Sequence, residues 1–82
     1  MAARKQELKY EIINQIGVIS TSASGWNVEL NRVSWNGNEP KYDVRSWSLD
    51  HTKMGKGITL SEDELIALSE LLVKEVAFLR EN

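Results

Sequence analysis

The chain has 82 residues, no cysteine, a single histidine and a formal net charge of −2. That length supports one domain with one small core and a thin stability margin. Without cysteine, neither disulfides nor a thiolate zinc site can add to it, which leaves self-association as the available device. One histidine, His51, excludes a histidine metal cluster or a two-histidine relay within one chain. Met1 to Gln6 lacks an apolar signal core, and no apolar run approaches the length of a membrane span. The expectation is a soluble cytoplasmic protein, with no membrane role and no cofactor.

Residues 1–8 are polar and aperiodic and are expected to form a flexible tail. From Tyr10 to Thr21, Ile12, Ile13, Ile16, Val18 and Ile19 are too dense for one helix face, and Gly17 weakens a helix further. A strand is the primary reading, with a helix over Gln6 to Gln15 as the weaker one. Ser20 to Gly25 reads as a loop. A second strand starts at Trp26, where Trp26, Val28 and Leu30 alternate with Asn27, Glu29 and Asn31. Val33 and Trp35 then take over on the opposite parity, which implies a bulge or a change of sheet face.

Asn36-Gly37 suits a hairpin turn. The third strand runs from Lys41 to about Leu49, with Tyr42, Val44, Ser46 and Ser48 on one face. Lys41, Asp43, Arg45, Trp47 and Leu49 occupy the other. Asp50 to Gly57 reads as a polar loop in which Asp50-His51 is a solvated turn. Gly55-Lys56-Gly57 is either a plain turn or a point of close approach for another chain or a phosphate. Ile58 to Leu60 forms a short fourth strand. Ser61 and Glu64 then match a capping box that opens a helix from Glu62 to about Arg80.

That helix is apolar around most of its circumference. Leu65, Leu68, Leu72, Val76 and Leu79 form one stripe, flanked by Ile66, Val73 and Ala77 on one side and Leu71 and Phe78 on the other. A surface helix normally carries a single stripe. One side is therefore expected to cover its own sheet while another meets a second copy, and a symmetric dimer is the economical account.

Charge is unevenly spread. Residues 61–82 carry −4, whereas residues 1–60 carry eight Lys/Arg against six Asp/Glu, or +2. The strand region is thus mildly basic, and it holds Trp26, Trp35 and Trp47 interleaved with Arg32, Lys41, Arg45, Lys53 and Lys56. A tryptophan in a small domain is more often core than platform. Three in so small a core is unusual, and Trp47 shares its strand face with two cations. Indole faces stack on unpaired bases of any sequence while Lys and Arg follow the phosphates. Enzymatic readings find no support: there is no phosphate-binding glycine loop of a known type, and Asp43 and Asp50 are isolated.

The order of four strands and one apolar helix, with Lys41-Tyr42-Asp43-Val44-Arg45-Ser46-Trp47 followed by Met54 to Ser61, is specific. So is the twelve-residue spacing of Trp35 and Trp47. Over about residues 10–79 the chain resembles the transcriptional coactivator family of positive cofactor four, in its stand-alone bacterial branch. The resemblance implies an α+β fold, a four-stranded curved antiparallel sheet followed by one C-terminal helix, assembled as a homodimer. Residues 9–82 would be a single-stranded DNA-binding, coactivator-like domain. In the family two aromatics twelve apart stack on bases, and these look like Trp35 and Trp47. The lysine of the Gly-Lys-Gly segment looks like Lys56. A basic residue of the eukaryotic members is replaced by Trp26, and their long acidic and Ser-rich arm has no counterpart. Coactivation of a eukaryotic machinery therefore does not carry over.

The expected function is sequence-nonspecific binding of single-stranded DNA or RNA by a non-enzymatic homodimer. Trp26, Trp35 and Trp47 would stack on bases. Arg32, Lys41, Arg45, Lys53 and Lys56 would meet phosphates, and Asn31 and Asn36 would bond base edges or sugar. The dimer interface would hold Leu65, Leu68, Leu72, Val76 and Leu79. No metal or small-molecule substrate is expected. The rival reading is a dimeric protein-interaction module whose exposed sheet receives a partner peptide. A third is a small-molecule binder with an enclosed apolar pocket.

Overall fold

The computed structural model describes residues 9–81; the expected tail, residues 1–8, lies outside them. Four strands, β1 (Tyr10–Thr21), β2 (Asn27–Trp35), β3 (Lys41–Trp47) and β4 (Met54–Leu60), precede one helix, α1 (Glu62–Arg80). The strands pair antiparallel in sequence order, β1-β2-β3-β4. Among the described residues no helix is long and apolar enough to cross a membrane.

The β-branched density of residues 10–21 resolves as a strand. Trp26 falls just before β2, and β3 ends at Trp47 rather than Leu49. The β2–β3 register is unbroken from Asn27↔Trp47 to Val33↔Lys41. The parity switch within β2 is therefore a true exchange of faces, not a bulge: Val28 and Leu30 face one side, Val33 and Trp35 the other. The irregularities lie in β1, which shifts register against β2 three times, and between β3 and β4 near Arg45 and Trp47. Asn36 and Gly37 both take positive φ (53° and 76°), the backbone of a type I′ turn, and Asn38 N–H bonds Trp35 O at 2.9 Å.

The fourth strand starts four residues earlier than expected, at Met54, and the glycines explain why. A Cβ on Gly57 would collide with Arg45 Cβ and the Val44 carbonyl oxygen, and one on Gly55 with the Ser46 hydroxyl. The space freed by Gly55 and Gly57 is filled by β3 of the same chain, so neither a plain turn nor a phosphate accounts for them.

The five buried residues among those described are Glu29, Asn31, Val33, Asp43 and Trp47. All lie on one sheet face, because Asn31 pairs with Asp43, Glu29 with Arg45 and Val33 with Lys41. This interior is largely polar. The opposite face carries Val28, Leu30, Val44 and Leu60 only half-buried, with Ile58 55% exposed.

Helix α1 opens with the predicted capping box: Glu64 N–H donates to Ser61 Oγ at 3.1 Å and Ser61 N–H to Glu64 Oε1 at 2.9 Å. These bonds hold the Glu64 carboxyl below its ordinary value. The helix does not cover its own sheet as expected. Only Leu65 and Leu68 are half-buried where its first turns meet β3 and β4, and every residue from Ser69 to Arg80 is exposed. The chain is accordingly extended, 62 × 33 × 20 Å. Leu72, Val76 and Leu79 are 50%, 39% and 60% exposed, more apolar helix surface than a lone domain of this size leaves in water.

Candidate nucleic-acid interface

Trp35 and Trp47 stand near opposite ends of the sheet: Tyr10 pairs with Trp35, and Asn27 pairs with Trp47. In a flat sheet the two levels would be about 26 Å apart, at roughly 3.3 Å per residue. Yet the Tyr10 ring lies 5.9 Å from Trp35 and 5.3 Å from Trp47, centroid to centroid. The sheet must therefore curl over this face, which is why every buried residue belongs to it.

The curl assembles a continuous ladder of flat groups. The Arg45 guanidinium carbon sits 4.7 Å over the Trp35 ring, Tyr10 follows, then Trp47, and the His51 imidazole lies 5.6 Å beyond Trp47. An acidic residue clamps each end. Arg45 Nε and Nη2 donate to the two oxygens of fully buried Asp43 at 2.6 and 2.7 Å, and Thr59 Oγ1 adds a third bond at 3.1 Å. At the other end His51 Nε2 lies 3.0 Å from both Glu29 oxygens. Asn31 Nδ2 donates to Glu29 Oε1 at 3.0 Å, and Tyr10 Oη donates to the His51 carbonyl at 2.6 Å.

Several expected contacts change role in this conformation. Trp47 has 0% exposure, so its ring is a core rung and not an open platform. The two cations in its row do not keep it wet, since Arg45 is neutralised by Asp43. Arg45 in turn is bound bidentately rather than left for phosphate. Asn31, at 1% exposure, is closed to base edges. The Asp50-His51 pair is no solvated turn: His51, at φ 61°, folds inward to Glu29. Asp50 fastens that turn, accepting from Thr52 Oγ1 at 2.7 Å and Ser48 Oγ at 2.9 Å, which lowers its pKa to about 2.

Other expected residues stay accessible. Trp26 and Trp35 are partly open. Trp26 lines a groove of about 580 Å³ between the 22–26 and 48–53 loops, with Leu49 (78% exposed) and Lys53. Lys41, Lys53 and Lys56 are exposed and take part in neither of the two ion pairs found among the described residues. Arg32 lies on the other sheet face, opposite Tyr42, and shares a cleft with Lys41, Glu39, Glu62 and Asp63, whose carboxylates offset the cations. Asn36 sits in the hairpin, and its Oδ1 accepts from Lys9 N–H at 3.1 Å.

Tyr10 and Glu29 were given no site role by sequence, and His51 and Asp43 were read there as a solvated turn and an isolated carboxylate. The one legible signal was parity, which puts Asp43, Arg45 and Trp47 in one row; nothing in it showed that Glu29 and His51 would meet. Among the described residues no cluster of His, Asp and Glu could hold a metal ion.

The Glu29–His51 clamp makes the 48–53 loop sensitive to acid. Burial alone would raise the Glu29 pKa, but hydrogen bonds from Asn31 and His51, with the His51 charge, outweigh it and hold the carboxyl below 4.5. The stability it contributes is present above that ordinary value and is lost as pH falls through the folded pKa. Trp47 emission is therefore expected to shift on acidification below about pH 4.5, and the shift should largely vanish in Glu29→Gln.

Residues 22–71 match the family described as Transcriptional Coactivator p15 (PC4). A Treponema pallidum (strain Nichols) protein described as uncharacterised is 50% identical over 66 residues, which cover 80% of this chain and 78% of that protein.

Proposed function

Because the chain belongs to the Transcriptional Coactivator p15 (PC4) family, whose members bind DNA and act in coactivation, we propose that it binds single-stranded nucleic acid without strong sequence preference, as a homodimer and not as an enzyme. The observation that carries this reading is the aromatic ladder, whose last rung, His51, belongs to the 48–53 loop that walls the Trp26 groove beside Lys53. Unpaired bases stack on Trp26 and on the part of Trp35 left accessible by Arg45 and Tyr10, and Lys53 and Lys56 neutralise phosphates. Duplex is disfavoured because its bases are already stacked on one another. The dimer forms through α1, where Leu72, Val76 and Leu79 exclude water only against a second copy.

Oligothymidine at low salt is expected to quench the tryptophan emission, with affinity falling as salt rises. Trp26→Ala should weaken binding by about 1–3 kcal/mol while leaving the unfolding midpoint unchanged, since Trp26 lies outside the sheet. Sedimentation should give a dimer that Leu72→Asp dissociates. Equal affinity for duplex and single strand would overturn the stacking reading. Salt-independent capture of a peptide in its place would favour a protein-interaction module.

A further inference from the structure

The 48–53 loop is fastened mainly to itself. Ser48 N–H donates to Lys53 O and His51 N–H to Ser48 O, both at 2.9 Å, while the Asp50 carboxylate accepts from Ser48 Oγ, Thr52 N–H and Thr52 Oγ1. Among the described residues, the hydrogen bonds that join this loop to the rest of the chain all pass through His51. Its imidazole meets both oxygens of Glu29 at 3.0 Å, and its carbonyl accepts from Tyr10 Oη at 2.6 Å. His51 is also the one residue of the loop that does not line the Trp26 groove: Ser48, Leu49, Asp50, Thr52 and Lys53 all do. Across the groove, Ser24 and Trp26 bond only within their own 22–26 turn.

We infer that Glu29 is a positioning residue for nucleic acid: acting through His51, it pins the 48–53 loop and so sets where one wall of the Trp26 groove stands. The inference rests on the nucleic-acid reading and deepens it by naming what holds the groove in shape. Glu29 is 4% exposed on the inner sheet face, out of reach of a ligand in the groove, so its influence travels through the loop. Internal bonds make the loop one unit, and a tie at one residue therefore places every wall residue together. That tie is of the stronger kind, a hydrogen bond to an ionised carboxylate. His51 also holds φ 61°, a left-handed backbone that a residue other than glycine keeps only where its surroundings over-determine it. With the tie cut, the wall stands in place for a smaller fraction of the time, and affinity falls by that fraction. Long-range attraction works the other way: removing a carboxylate leaves the region less negative and favours phosphate. The two effects differ in sign.

Anisotropy of an end-labelled oligothymidine at low salt decides it. Glu29→Gln keeps the shape of the side chain and removes its charge, and it should bind about two- to tenfold more weakly, the factor carried by one net hydrogen bond. His51→Asn accepts the left-handed backbone but gives up the Glu29 contact, and it should weaken binding by a similar factor; it carries the test alone if Glu29→Gln does not fold. A double-mutant cycle separates positioning from general support of the fold. In a Trp26→Ala background most of either loss should disappear, because the groove no longer contributes. In a Lys56→Ala background, outside the groove, it should persist in full. A Glu29→Gln protein that binds as tightly as the wild type or more tightly, or losses that simply add to that of Trp26→Ala, overturn the inference alone. Absence of any binding by the wild-type protein removes the nucleic-acid reading, and the positioning role with it.

Discussion

Trp47→Ala is expected to unfold the domain before it reports on binding. The ring is fully buried, contacts Tyr10 and His51, and sits where β2, β3 and β4 converge. Truncating a buried tryptophan costs about 3–5 kcal/mol, and domains of this kind have only about 5–15 kcal/mol to lose. Chemical denaturation should show the midpoint fall steeply. Trp26→Ala, by contrast, should leave stability intact and reduce affinity. The two tryptophans thus separate the interior from the surface of the same site. A Trp47→Ala protein as stable as the parent would mean that the sheet does not close over the ladder.

Asp43→Ala should be as severe, for a different reason. Asp43 is fully buried and accepts three bonds, two from Arg45 and one from Thr59. Its removal strands a guanidinium that is only 14% exposed, and breaking a buried pair in this way costs about 3–5 kcal/mol. Trp35 should respond as well, since Arg45 would lose the fork that holds it over the indole. Asp43→Asn keeps the shape but loses the charge and one acceptor, so it should fall between the parent and alanine. Denaturation midpoints of the three proteins, read by tryptophan emission, give the order directly.

The elements were legible because they depend on local chemistry. Alternating residues on strand three, Asn36-Gly37 at the hairpin and Ser61 with Glu64 at the helix start act through neighbours a few residues away. The site was less legible. Parity placed Asp43, Arg45 and Trp47 in one row but could not say whether that row faced water or the interior. The cations suggested water. The row is inside, because a carboxylate on the same strand neutralises Arg45 and curling brings Tyr10 over Trp47. Lys53 and Trp26 were among the expected nucleic-acid contacts, with nothing local to say which tryptophans would be exposed, whereas the groove between them required two loops separated by more than twenty residues.

Amino-acid order alone determined four strands, one capped helix and an apolar surplus on that helix, since propensity, periodicity and capping are short-range properties of the chain. The tertiary structure decided which sheet face closed, which tryptophans stayed open and where the charges were neutralised. Those outcomes follow from curvature and register, which sum small twists over the whole sheet and bring together residues such as Glu29 and His51 that no local pattern connects.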